Sequence, residues 1–261
     1  MNTNRKTAIS AGGKLANTRR QSAIKESKMK ITASNLIRGA GLSAMLAGIL
    51  FIAIQTIHPS DVLSSVTTAR WAIVHYLGIA MALLGLFGIA GIYARQVEEA
   101  GWLGLAGYLL FSLFYALTMA FQFAEAFISP LLATEAPKFV EGFLGIASGH
   151  ASEINLGALP VVYNLTGFVG YVLGGLLFGI ATLRAGILPR WAGGLLAIGA
   201  VSVLAGSLLS HPLDRILAVP VGLALAWLGY ALWSERREQA AQPVPGRGSP
   251  SSAKPEPSRV A

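Results

Sequence analysis

The chain has no cysteine among its 261 residues, which excludes disulfides, thiolate nucleophiles and cysteine-held zinc or iron–sulfur clusters. Charge is scarce as well: Asp, Glu, Lys and Arg make up 12% of residues, about half the ~25% of a soluble domain. Acidic residues are the scarcer kind, 12 against 20 Lys and Arg, for a formal net charge of +8. In a soluble protein that excess would suggest nucleic acid. Here the positives gather in two tails and do not interleave with aromatics on one element, so no nucleic-acid partner is expected. What fills the chain is hydrocarbon: 54% of residues are hydrophobic and the mean hydropathy is +0.59. The partner such a composition demands is the lipid bilayer.

Residues 1–34 carry Arg5, Lys6, Lys14, Arg19, Arg20, Lys25, Lys28 and Lys30 against the single acid Glu26. They read as a polar basic tail, a topology signal with some attraction to anionic lipid. Met29 is an alternative start, and no cleaved signal peptide is expected, because the apolar run after Arg38 is too long for one. Six apolar runs follow, at 35–57, 71–95, 102–129, 160–184, 191–210 and 213–233, each near the ~20 residues of a spanning helix. The expected fold is an all-α polytopic membrane domain over 35–234 with six transmembrane helices. An even number places both tails on one side. The tails with Arg38, Arg95, Arg184 and Arg190 hold all the basic residues except Arg70, Lys138 and Arg215, so both termini are expected to be cytoplasmic. Residues 235–261, rich in Pro, Ser, Gln and charge, read as disordered. Trp71, Trp102, Trp191 and Trp233 fall at run ends, where interface anchors sit.

This orientation puts all four histidines, His58, His75, His150 and His211, at or near the outer face, together with Asp61, Glu125, Glu135, Glu141, Glu153 and Asp214. Helical spacing then sorts the faces. Gly41, Ala44, Gly48, Gln55 and His58 share a stripe on the first helix; His75, Gly78, Ala82 and Gly85 share one on the second. On the third, Tyr115, Thr118, Gln122, Glu125 and Ser129 form a polar stripe running inward. Asn164, Gly167, Tyr171 and Gly174 align on the fourth, and Ser207 and His211 lie one turn apart on the fifth. The candidate ligand-binding residues are therefore His58, His75, Gln122, Glu125, Asn164 and His211. Glu125 stands out, since a carboxylate within a spanning segment has a partner or a function; the plainer account is a salt bridge to Arg70 or Arg215. The plainer account of His58-Pro59 and His211-Pro212 is that they stop helices. No H-x-x-x-H or H-E-x-x-H pair and no G-x-S-x-G exists, so no catalytic residue, metal or cofactor is assigned.

Phe87-Gly88-Ile89-Ala90 recurs as Phe178-Gly179-Ile180-Ala181, each followed by an arginine and then a tryptophan. That spacing suggests a parallel repeat of helices two and three in four and five, an organisation found in transporters. The long connection 130–159 contains an amphipathic stretch near 137–147, expected as an interfacial helix or lid. Pro220 is expected to kink the sixth helix.

Residues 92–104 (I-Y-A-R-Q-V-E-E-A-G-W-L-G) and 184–192 (R-A-G-I-L-P-R-W-A) resemble segments of small uncharacterised multi-pass membrane proteins of bacteria. The opening M-N-T-N-R-K-T-A-I-S is similar to starts in one bacterial membrane family of unknown function. That resemblance implies a bacterial plasma membrane and transfers no residue role. Three functions fit: a protein whose outer polar pocket binds or moves a small solute, ion or proton; a structural or regulatory partner of another membrane protein; or a metal- or haem-dependent membrane enzyme. The first uses the most of the pattern, and catalysis has the least to rest on.

Overall fold

The computed structural model describes residues 32–209 and 213–241. The basic tail, His211 and most of the C-terminal tail lie outside them. The described chain is all-helical, 86% helix with no strand, as a bilayer requires when every backbone N–H and C=O must be satisfied within its own segment.

Helix α1 (Ala33–Ile57) starts on Thr32, whose hydroxyl accepts the Asn35 N–H at 3.2 Å. Helix α2 (Ala69–Arg95) starts on Thr68 in the same way, bonded to the Trp71 N–H. Both are N-caps that satisfy donors the first turn leaves open. Helix α3 (Val97–Glu135) passes through a π-helical stretch, Ala124–Ile128. Helix α4 (Pro137–Gly145) follows directly. Helix α5 (Leu159–Ala185) holds a second π-helical stretch, Leu165–Leu173, and ends on Gly186 at φ +65°, a left-handed stop suited to glycine. Helix α6 (Arg190–Ser202) tightens into a 3-10 turn, and α7 (Val219–Ala241) closes the chain.

Five of these helices are long and apolar enough to cross a membrane: Ala33–Ile57, Ala69–Arg95, Val97–Glu135, Leu159–Ala185 and Arg215–Ser234. The fifth run, 191–210, yields a shorter apolar helix, Arg190–Gly206, about 25 Å at 1.5 Å per residue against a ~30 Å hydrocarbon core. Pro220 does not kink a helix; it begins one, in the first turn after the 3-10 segment Leu213–Ala218, where its missing N–H costs nothing. Helix α7 continues past the apolar run to Ala241 because residues 235–240 are mostly good helix formers.

The helices form a closed ring in which α1 packs on α2 and α7, α3 on α2 and α5, and α6 on α5 and α7. Their outer surface carries exposed apolar side chains such as Ile49, Phe87, Leu109, Phe168, Ile198 and Leu223, which suits lipid. Inside the ring, Phe51, Phe111, Phe114, Tyr115, Tyr171 and Phe178 make one aromatic layer, with Phe51 stacked on Tyr171 at 6.1 Å and Phe114 against Tyr171 at 4.9 Å. The two Phe-Gly-Ile-Ala copies differ in surroundings: Phe87 is 59% exposed and Phe178 fully buried. Trp102 and Trp191 are exposed, as anchors should be, but Trp71 is wholly buried and is no anchor. It joins Val66, Val140 and Leu144 in a second apolar cluster that docks α4 onto the bundle.

Candidate functional site

At the end of the ring away from Arg95 and Arg184 the helices part around a cavity of about 920 Å³, within the ~300–1,000 Å³ usual for small-molecule sites. Phe51, Phe114 and Tyr171 of the aromatic layer line it, as do the polar side chains Gln55, His58, Asp61, Thr118, Gln122, Glu125, Tyr163, Thr166 and Arg215. Helix α4 and the chain after it cover it with Glu141, Leu144, Ser148 and His150.

Glu125 owes its setting to the π-helical stretch. The wider turn releases the Glu125 carbonyl, which accepts the Trp71 Nε1–H at 2.8 Å, 54 residues away in sequence. The Glu125 carboxylate accepts the Gln122 amide at 3.2 Å and lies 3.3 Å from Nε2 of His75. His75 is fully buried and stacks on Trp71, ring centres 4.1 Å apart. Its Nδ1 is 2.7 Å from the Trp71 carbonyl one turn back. A carbonyl only accepts, so Nδ1 carries hydrogen and Nε2 is the atom turned to Glu125. Nε2 is itself buried without a hydrogen-bond partner, so the approach to Glu125 is a close polar contact across the α2–α3 seam.

His58 stands 5.3 Å from His75, edge to face. Its Nδ1–H donates to the Pro59 carbonyl at 2.7 Å. Burial first, then the Arg215 guanidinium, push its pKa down from 6.5 to about 4, so the ring is neutral near neutral pH. Arg215 itself pairs with Asp61 at 3.3 Å, and Asp61 reaches to 3.7 Å from His58. Arg70 donates to the Ile57 carbonyl at 2.7 Å, closing the end of α1. The carboxylate of Glu125 therefore answers to His75 and Gln122, while the two arginines considered for it bond elsewhere.

Of the residues singled out in the sequence, His58, Gln122 and Glu125 line the cavity and His75 lies directly behind Glu125. Asn164 is exposed on α5 and does not line it; His211 lies outside the described residues. Gln55 and Thr118 belonged to the polar stripes and do line it. Tyr163, Thr166 and the Asp61–Arg215 pair carried no periodic signal, because a π turn breaks the α-helical period and the pair sits in connections. Among the described residues no group of three or more His, Asp or Glu is placed to hold a metal ion. Ser148 and His150 bond at 2.7 Å in the covering loop, where the Ser148 hydroxyl also reaches the Gly145 carbonyl at 3.2 Å.

The fold and site define a multi-pass helical membrane protein with a covered cavity at one end of its bundle. No family model matches the chain, and no curated protein or solved structure matches it.

Proposed function

We propose that the protein binds a small solute in this cavity, from the outer side of a bacterial plasma membrane, and either passes the solute on or senses it. The observation that carries the proposal is the cavity's build: an aromatic floor, a polar wall holding one intramembrane carboxylate, and a covering helix held by its own apolar cluster. Purely structural packing leaves no space of this size. His58, Gln122 and Glu125 are the contact residues, with His75 setting Glu125. His211 stays in the set on its sequence position alone, and Asn164, which does not line the cavity, is dropped from it.

The accompanying topology has six crossings with both termini cytoplasmic. It is supported by α6 filling the ring between α5 and α7, both long enough to span, and by the basic residues of the tails. The repeat of helices two and three in four and five has no such support, since its matching phenylalanines face opposite environments.

Because the chain lacks cysteine, single replacements report accessibility without background. Gln55→Cys is expected to react with a membrane-impermeant cationic thiol reagent applied to the outside of intact cells, whereas Phe87→Cys on the lipid face stays unreacted. Reaction of Gln55→Cys only from the cytoplasmic side would reverse the orientation. No reaction from either side, in protein that melts like the parent, would remove the open cavity.

A further inference from the structure

We propose that the cavity's ligand is a protonated organic amine held by Glu125. The assignment rests on the cavity being a ligand site and adds the chemistry of what enters it.

The first support is an inventory of hydrogens. Gln55 turns its amide nitrogen to the Phe51 carbonyl at 3.3 Å, so its oxygen is the free end. Thr166 spends its hydroxyl hydrogen on the Val162 carbonyl at 2.8 Å. His58 spends Nδ1–H on Pro59 and, being neutral, has only a lone pair left on Nε2. Tyr171 lines the cavity, is 5% exposed, and its hydroxyl has no partner. Gln55, Thr166 and His58 thus turn acceptors to the space beside the carboxylates, and an alkylammonium brings donors without acceptors.

Charge and shape agree with this. Three carboxylates, Asp61, Glu125 and Glu141, line the space against one guanidinium, Arg215, which is already paired with Asp61. The Arg215 Nε–H and the Tyr171 O–H are lining donors buried without a partner, so a ligand carrying a carboxylate has to be tested beside the amine. The aromatic floor offers π faces that attract a cation and cover an apolar body.

The test is calorimetric titration of the purified full chain in detergent with 2-phenylethylamine, 2-phenylethanol, 3-phenylpropionate and phenylalanine. The amine is expected to bind about tenfold or more tightly than the alcohol, the margin of a charge-assisted hydrogen bond. In Glu125→Gln the amine should lose that margin over the alcohol. If the alcohol binds the parent as tightly as the amine, or 3-phenylpropionate or phenylalanine binds more tightly, the ammonium assignment is overturned and the cavity stands as a ligand site. Binding of none of the four overturns both the amine and the cavity's role. The parent protein decides these outcomes even if the variant does not fold.

Discussion

At the arginine end of the ring the helices close on one another, and at the histidine end the same helices stand apart. A β-carbon added to Gly41 would lie 2.8 Å from the Trp233 backbone nitrogen and 2.9 Å from the Gly229 oxygen; one added to Gly193 would lie 2.7 Å from the Leu183 nitrogen. Helices come this near only where glycine removes the side chain. Gln96 and Thr182, both fully buried, bond at 2.7 Å across the same end, and Tyr93 stacks on Tyr108 at 4.8 Å. At the other end two π-helical stretches widen α3 and α5, a β-carbon on Gly167 would meet nothing within 4 Å, and a polar cavity opens. A membrane bundle can thus hold an ionisable pair in hydrocarbon surroundings if its opposite half supplies the close packing. The freed carbonyl of the π turn is not wasted, because Trp71 takes it.

The contrast is broken most severely at the closed end. Gly41→Leu forces side-chain atoms into the backbone of α7, and overpacking of this kind costs at least about 3 kcal/mol; thermal melting in detergent should show it, with loss of folded yield. Acid should act at the open end instead. The folded His58 has a pKa of about 4 against an ordinary 6.5, so the unfolded chain takes the proton first. The stability it contributes is complete above pH 6.5 and is lost as pH falls toward 4, by up to about 3 kcal/mol at ~1.4 kcal/mol per unit. The difference in melting between the parent and His58→Asn should fade over that window; a constant difference would mean that His58 is not the titrating group. Next in size is Thr182→Val, which strips a buried amide of its acceptor and should cost about 1–2 kcal/mol. Adding Gln96→Leu should recover part of that loss, because an apolar pair leaves nothing unsatisfied.

Which half was legible in the sequence follows from these same residues. Long apolar runs announced helices that reach across a bilayer, since few alternatives exist for such runs. Spacing of three and four residues set Thr118, Gln122 and Glu125 on one face, and all three line the cavity, because α3 is regular from the break at Gly101 (φ +54°) as far as Phe123. Asn164 was aligned with Gly167 and Tyr171 by the same rule and is exposed, because α5 turns π-helical from Leu165 and its phase slips. Tyr163 and Thr166 take the inward places. Trp71 resembled an interface anchor by position alone; its buried role depends on a carbonyl that only the π turn of α3 releases. The Arg215–Asp61 pair joins residues 154 apart in sequence, a meeting that no local pattern encodes.

The smallest change is also the sharpest comparison, because one substitution should carry opposite signs at the two ends. Alanine is favoured over glycine in a helix by roughly 0.5–1 kcal/mol, since glycine loses more backbone freedom on folding. Gly167 sits inside a helix, without positive φ, on the cavity wall with open space beyond its α-carbon. Gly167→Ala should therefore raise stability by about half a kcal/mol, and one methyl in a cavity of about 920 Å³ should leave ligand affinity unchanged. Gly41→Ala carries the same helical advantage, but its methyl meets the backbone of α7 at less than 3 Å, and the net effect should be a loss of about 1–2 kcal/mol. Matched melting curves decide between them. If both alanines stabilise, α1 and α7 are not locked together at Gly41. If both destabilise, the space beside Gly167 is filled, and the polar wall of the histidine end is as tightly packed as the arginine end.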